Sequence, residues 1–203
     1  MAERLCERCG GMLAKHARVD ARYCGGACRV AALRARRAAA APRSTVPREL
    51  AEAPRWVRYS GTKVPLRSDR RGVASSTNPR TWSTYEQART STEGRGAGFV
   101  LNGDGIVCID LDHCLTGNVL APWAQRIVDR AGSTFVEISP SGDGLHIWGR
   151  AQLTSGRVVN TADGGKAEVY GNGRYITVTH RRFGNTPAVL GDLADVIGEL
   201  ISR

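Results

Sequence analysis

Residues 107–114 read VCIDLDHC, and two carboxylates split by one leucine in a strand-forming run need explaining, because a buried acid is costly unless paired or bound to a cation. On a strand, Asp110 and Asp112 share a face with Cys108, while Ile109 and Leu111 take the other. Carboxylates about 6–7 Å apart on a strand can close on one or two divalent cations. Hard oxygen donors of this kind favour Mg2+ or Mn2+ over zinc. The pair alone is weak, since many loops contain Asp-x-Asp, but two further segments add to it. Residues 139–144, SPSGDG, predict a loop whose small residues, Ser139, Ser141, Gly142 and Gly144 among them, let amides and hydroxyls approach phosphate oxygens as a backbone nest does. It lacks the Lys-Ser/Thr ending of a P-loop. His146 follows on the returning strand; a lone histidine there is commonly structural, yet behind such a loop it can donate to a triphosphate. In KAEVY, Glu168 shares its strand face with Lys166 and Tyr170.

A second chemistry opens the chain. Cys6 and Cys9 form a Cys-x2-Cys pair, Cys24 and Cys28 a Cys-x3-Cys pair, and the glycines at 10, 11, 25 and 26 leave the turns free of side chains near the sulfurs. Four thiolates suit tetrahedral zinc with no open position, which predicts a structural metal; His16 is a spare candidate, read as a surface histidine. So small a module cannot hold itself by packing, and the metal is expected to do so. RVAALRARRAAAA then predicts a helix to about Ala41, carrying Arg29, Arg34, Arg36 and Arg37. Such a helix is either a merely soluble one or a phosphate-contacting one. Charge favours the second: of a net +10, residues 1–60 carry 13 Lys or Arg against five Asp or Glu, which suits a polyanionic partner. The segment also resembles small treble-clef-like modules joined to nucleic-acid enzymes.

The remaining elements must position these groups. A chain of 203 residues, 41% hydrophobic and 24% charged, can bury one core of roughly 150 residues beside a small appendage. It has no apolar run of about 18 residues and no basic-then-apolar leader, so neither a membrane span nor secretion is expected. A cytoplasmic, reducing location follows, with thiols as metal ligands or free groups. Residues 1–41 are expected as the zinc module and arginine helix, and 42–54, with three prolines, as a linker. Residues 55–190 are expected as the catalytic domain and 191–203 as a closing helix. Residues 55–66 predict a strand pair about Ser60-Gly61, and 81–91 a helix capped by Thr81 or Ser83 with Glu86 as capping-box partner. Turn residues at 102–105 and 171–173 predict two hairpins, and Pro122 and Gly132 bound another helix.

Taken in order, CIDLD, SPSGDGLHIW and AEVYGNGRYITVT closely resemble the catalytic motifs of the archaeo-eukaryotic primase superfamily, in particular phage and plasmid primase-polymerase domains. NPRTWSTYEQA looks like the segment that precedes their first acidic motif, so the resemblance spans about residues 54–182. It implies an α+β fold, a two-layer primase-polymerase core with one half resembling an RNA-recognition module, here joined to the zinc module. It implies that Asp110 and Asp112 hold Mg2+ or Mn2+, that Ser141 and His146 hold the incoming nucleotide's phosphates, and that Glu168 is the third acid, with Glu137 as its competitor. Lys63 and Arg174 become basic partners for phosphates or template. The activity implied is template-directed nucleotidyl transfer on single-stranded DNA, with nucleoside triphosphates as substrates and a separate helicase as partner. A non-catalytic single-strand-binding protein and a metal-dependent nuclease are the alternatives. One departure stands out: relatives commonly place glycine after TVT, where this chain has His180, Arg181 and Arg182, residues that contact template or face solvent.

Overall fold

The structure is a computed structural model that describes residues 4–40, 46–117, 119–161 and 163–202, without the side chains of 34–40. It divides into two compact units, Met1–Arg43 and Ser44–Arg203. In the first, the Cys6 amide donates to the Gly11 carbonyl at 2.8 Å and the Gly10 amide returns to the Cys6 carbonyl at 2.9 Å, closing a tight knuckle. The Glu7 amide reaches the Arg22 carbonyl at 3.0 Å and their side chains pair at 2.6 Å, which ties the first cysteine pair to the second. Helix α1, Gly26–Ala40, starts between Cys24 and Cys28. Its alanine run favours it, and the arginines on it match the prediction in position; the side chains of Arg34, Arg36 and Arg37 lie outside the described residues.

The second unit begins with α2 (Arg48–Glu52), β1 (Trp56–Tyr59), β2 (Pro65–Leu66), a short 3-10 turn (Pro79–Thr81) and α3 (Tyr85–Thr90). Then follow β3 (Gly96–Asn102), β4 (Ile106–Asp112), the small pair β5 (Leu115–Thr116) and β6 (Val119–Leu120), and α4 (Pro122–Ala131). The chain closes with β7 (Phe135–Ile138), β8 (Leu145–Arg150), β9 (Arg157–Asn160), β10 (Lys166–Tyr170), β11 (Asn172–Val178), β12 (Gly191–Asp192) and α5 (Ala194–Ile201). One sheet runs β11-β3-β1-β2; the other runs β12-β8-β4-β10-β9, with β7 also on β8. The named pairs are antiparallel except β12 with β8. The unit is therefore mixed α and β with antiparallel sheets, as expected of a primase-polymerase core.

Alternation along the strands divides the core. Val107, Ile109 and Leu111 turn to one face of the larger sheet, where Trp123, Ala124 and Ile127 of α4 and Val196, Ile197 and Leu200 of α5 cover it. Cys108, Phe135, Trp148 and Tyr170 turn to the other, against Trp56, Phe99, Ile176 and Val178 of the smaller sheet. Phe99 meets Trp56 at 5.2 Å and Trp148 at 6.0 Å edge to face, so aromatic contacts join the sheets. The larger sheet therefore packs helices on one face and the smaller sheet on the other.

Several expectations need correcting. Neither predicted hairpin forms: β3 and β11 pair in the smaller sheet, while β4 and β10 pair in the larger, so each turn carries the chain across from one sheet to the other. The crossings lie side by side, with Asn102 opposite Asn172 and the Gly103 amide donating to the Gly171 carbonyl at 2.9 Å. Positive-φ glycines at 103, 105 and 173 serve an arch as well as a hairpin, and turn composition cannot separate the two. The predicted linker is packed from residue 46 onward: Val46 and Leu50 are fully buried, and the Trp56 indole donates to the Leu50 carbonyl at 2.8 Å. Proline there starts α2 after Pro47 instead of marking free chain. The α3 cap is Thr84 with Gln87, one residue beyond the predicted box. Residues 191–192 form β12, and the closing helix starts at Ala194.

Candidate active site and cysteine centre

The crossings make β4 central, with β8 on one side and β10 on the other. Register then sets Asp110 opposite His146 and Glu168, and His146 opposite Glu137 of β7. Directly opposed residues point to the same face, so Glu137, His146, Asp110 and Glu168 form one polar row across four strands. The neighbouring row inward, Phe135, Trp148, Cys108 and Tyr170, is apolar and closes the space between the sheets. Outward, Asp112 faces Lys166. Where the apolar row ends, a cleft of about 630 Å³ opens, lined by Lys63, Asp110, Asp112, Ser139, Ser141, His146, Glu168 and Arg174 among others. The cleft thus gathers eight of the residues singled out from sequence.

His146 is buried, with Nε2 3.7 Å from Asp110 Oδ1 and Nδ1 3.4 Å from Glu137 Oε1. Glu137 is fully buried and also accepts from Trp148 Nε1 at 3.2 Å, the Thr179 amide at 2.9 Å and hydroxyl at 3.1 Å, and the His180 amide at 3.0 Å. A carboxylate so fully engaged has no oxygen for the cleft; Glu137 orients His146 and anchors the end of β11, while Glu168 lines the cleft. Lys166 Nζ sits 3.1 Å from Asp112 Oδ2 and 2.5 Å from Glu168 Oε1. The Tyr170 hydroxyl donates to the other Glu168 oxygen, and the Arg174 guanidinium lies 4.3 Å above the Tyr170 ring.

These surroundings push the acids in opposite directions. Burial raises the Asp110 carboxyl above its usual range, and the charges of Asp112 and Glu168 add to this against the lowering effect of His146. Glu168 is held below its range by Lys166 and then Tyr170, while Tyr170 is pushed up to about 12 by burial and by Glu168. Among the described residues, Asp112 and Glu168 share the Lys166 ammonium, whereas Asp110 has no Lys or Arg ion pair and meets His146. Asp110, Asp112 and Glu168 offer oxygen donors of the kind hard divalent ions take, but among the described residues the group whose ligand atoms already converge is the four cysteines.

The 139–144 loop departs from a simple nest. The Ser139 amide donates to the Gly144 carbonyl at 2.9 Å and the Gly142 amide to the Ser139 carbonyl at 3.1 Å, so both serve the loop itself. Ser139 and Ser141 hydroxyls lie 2.8 Å apart, Ser141 donates to Asp143, and Asp143 meets His113 Nδ1 at 2.6 Å. Gly142 and Gly144 do not line the cleft. Gly142 supplies φ +92°, and a Cβ on Gly144 would sit 2.6 Å from the Leu111 carbonyl, so glycine lets the loop lie on β4. Sequence reasoning missed the anchoring by Glu137, the Lys166 bridge and the Asp143–His113 clasp. Lys166 was visible two residues from Glu168, but the other two depend on register between distant strands.

Arg181 donates to the Ser139 carbonyl, which brings it to the loop; Arg182 and Arg29 are exposed. His180 takes φ +61°, the left-handed conformation that glycine adopts without strain.

In the N-terminal unit, the sulfurs of Cys6, Cys9, Cys24 and Cys28 lie within 4.8 Å of one another. Cys9 and Cys24 are 3.6 Å apart and Cys24 and Cys28 3.5 Å, close to the ~3.8 Å edge of a tetrahedron with 2.3 Å zinc–sulfur arms. Their thiols titrate apart: the Cys24 amide draws Cys6 down to about 6, whereas sulfur contacts with Cys24 and Cys9 push Cys28 up to about 12. Four thiolates this close need a cation, and the cluster could hold zinc. His16 is exposed and outside it.

No family model matches the chain. A DNA primase-polymerase from Nitratiruptor phage NrS-1 is 39% identical to it over 136 residues, 63% of this chain and 19% of that protein. The chain therefore spans about a fifth of the length of the curated relative it matches.

Proposed function

We propose, taking the chain as a member of the primase-polymerase family as this identity supports, that it carries out template-directed nucleotidyl transfer. Primer synthesis, DNA polymerisation or both, in phage or plasmid replication, would be its task. The observation that carries this reading is the single row of Asp110, His146 and Glu168, with Asp112 beside it, facing a serine loop across one cleft. Asp110, Asp112 and Glu168 would hold the catalytic Mg2+ or Mn2+. Such an ion supplies charge neutralisation at the attacked α-phosphate and lowers the pKa of the attacking hydroxyl; two ions would serve both attack and departure. The protein groups do the positioning. His146, fixed through Nδ1 by Glu137, presents Nε2 to the cleft, where the imidazolium form would donate to phosphate. Ser139 and Ser141 offer hydroxyls, and Lys63 and Arg174 offset the triphosphate's charge from the opposite wall. Lys166 keeps Asp112 and Glu168 close together before substrate arrives.

The cysteine cluster would bind structural zinc, and the basic N-terminal unit would add grip on single-stranded DNA. Nucleoside triphosphates and single-stranded template are the proposed substrates, a separate helicase a proposed partner, and the cytoplasm, of the host if phage-encoded, the proposed location. No helix among the described residues is long and apolar enough to cross a membrane.

Synthesis on unprimed and primed single strands, with ribo- and deoxynucleotides and Mn2+, tests the reading. Nucleotide-dependent lengthening is expected from the parent protein. Strand shortening without nucleotide would replace the reading with a nuclease, and inert behaviour on every template with a binding protein. Cys24→Ser is expected to lose initiation or strand grip while the carboxylate cleft keeps its nucleotide affinity.

A further inference from the structure

The same strand that borders the carboxylate cleft continues into a second one. Residues 174–177 line the first; residues 178–181 line a neighbouring cleft of about 380 Å³, and Pro140 borders both. Four arginines, Arg58, Arg89, Arg95 and Arg181, line this second cleft. Among the described residues, only Arg89 of the four has a carboxylate partner, Glu86 at 2.6 Å.

Arg58 is the telling member. It is 9% exposed, and its Nε and Nη1 donate to the Glu93 and Ala88 carbonyls at 2.6 and 3.0 Å, with no acid in contact. A buried guanidinium balanced only by carbonyl dipoles is costly, and burial draws its pKa below the ordinary arginine value. An anion in the cleft would relieve that cost. Arg95, exposed and without an acidic partner, and Arg181, tied to the serine loop, flank the approach. Tyr59 lines the same cleft and stacks on Tyr175 of the first, with ring centroids 6.5 Å apart and planes 25° from parallel. A basic groove along the backbone with aromatic platforms beside it is how single strands are held without sequence readout. Four residues of β-like chain span about 13 Å, room for about four stacked nucleotides at 3.4 Å each.

We infer that this arginine cleft grips the backbone phosphates of a nucleic-acid single strand and leads it along β11 toward the carboxylate cleft. The direction of travel rests on the nucleotidyl-transfer reading; the grip does not. A free triphosphate presents similar chemistry, so the test has an arm for each source.

Anisotropy of a fluorescein-labelled oligothymidylate is titrated with the full chain as parent, Arg95→Ala, Arg181→Ala and the double variant, at several salt concentrations. Nucleoside triphosphate binding is followed by equilibrium dialysis with Mn2+, and circular dichroism checks that each variant is folded. Arg126→Ala, whose parent side chain pairs with Asp163, is the charge-matched control. Each single cleft variant is expected to lose affinity for the oligonucleotide by about three- to tenfold at 0.1 M salt, with the log–log salt slope falling by roughly 0.7 per arginine. Triphosphate binding should hold in Arg95→Ala, which touches no part of the serine loop, and Arg126→Ala should match the parent. Parent-like oligonucleotide binding by the folded double variant overturns the inference. So does an equal loss of triphosphate binding, which would make the cleft a nucleotide subsite, or an equal loss in Arg126→Ala, which would make the effect one of net charge. A parent protein that grips strands yet incorporates nothing removes the nucleotidyl-transfer reading and leaves this one standing.

Discussion

Asp110 sits where burial and two neighbouring acids all oppose its charge, and that environment has a measurable sign. Its folded carboxyl titrates above the unfolded one, so between those values the unfolded chain binds fewer protons and stability falls as pH rises. The cost grows as pH rises through that window and disappears below the ordinary aspartate range. Without divalent ions, Asp110→Asn should thus be more stable than the parent at neutral pH. Denaturant melts should show the gap closing as pH falls toward 3. Glu137 is instead surrounded by donors, its oxygens accepting from the Thr179 and His180 amides, the Trp148 indole and His146. Glu137→Gln turns an acceptor into a donor facing donors and should cost roughly 1–3 kcal/mol in the same melts. The cleft acids and His146 were legible in the sequence as residue types at strand spacing. Glu137 was legible only as a competitor to Glu168, because its partners arrive from β8 and the end of β11.

At the scale of elements, the alternation in β4 correctly divided Ile109 and Leu111 from Cys108, Asp110 and Asp112, since period-2 patterning is local. The break after Asn102 was also read correctly, whereas at 171–173 β11 has already begun at Asn172 and the predicted turn is a register shift in the strand; which sheet each strand joins is a matter of long-range pairing. That pairing builds the site: a true β3–β4 hairpin would have taken one of the two edges of β4 that β8 and β10 occupy, and Asp110 could not face both His146 and Glu168. The loop glycines show the same limit. SPSGDG reads as a phosphate nest, whereas Gly144 is needed for its close approach to Leu111. Gly144→Ala should therefore lower the melting temperature by several degrees and weaken triphosphate binding together, because the loop must lift from β4.

The whole molecule is two compact units with different means of support. Among the described residues the first has little apolar interior, with Cys6 and Ala32 its buried apolar residues, so a metal is its expected source of stability. Chelation should release one zinc per chain, read by a colorimetric indicator, and remove protection of residues 4–40 from proteolysis while residues 46–202 stay protected. Cys24→Ser should bind no zinc. The four-cysteine spacing made this unit legible from sequence, and the charge excess in residues 1–60 pointed to its side of the chain. The arginine cleft was not legible, because Arg58, Arg89, Arg95 and Arg181 are scattered along 124 positions and meet only through the fold. Extension of a labelled primer on a single-stranded template, with Mn2+ and all four deoxynucleotides, tests the central claim most directly when run on the parent beside folded Asp110→Ala and Asp112→Ala. The parent should lengthen the primer and both variants should fall by at least about a thousandfold; lengthening at the parent's rate by either variant would contradict the account.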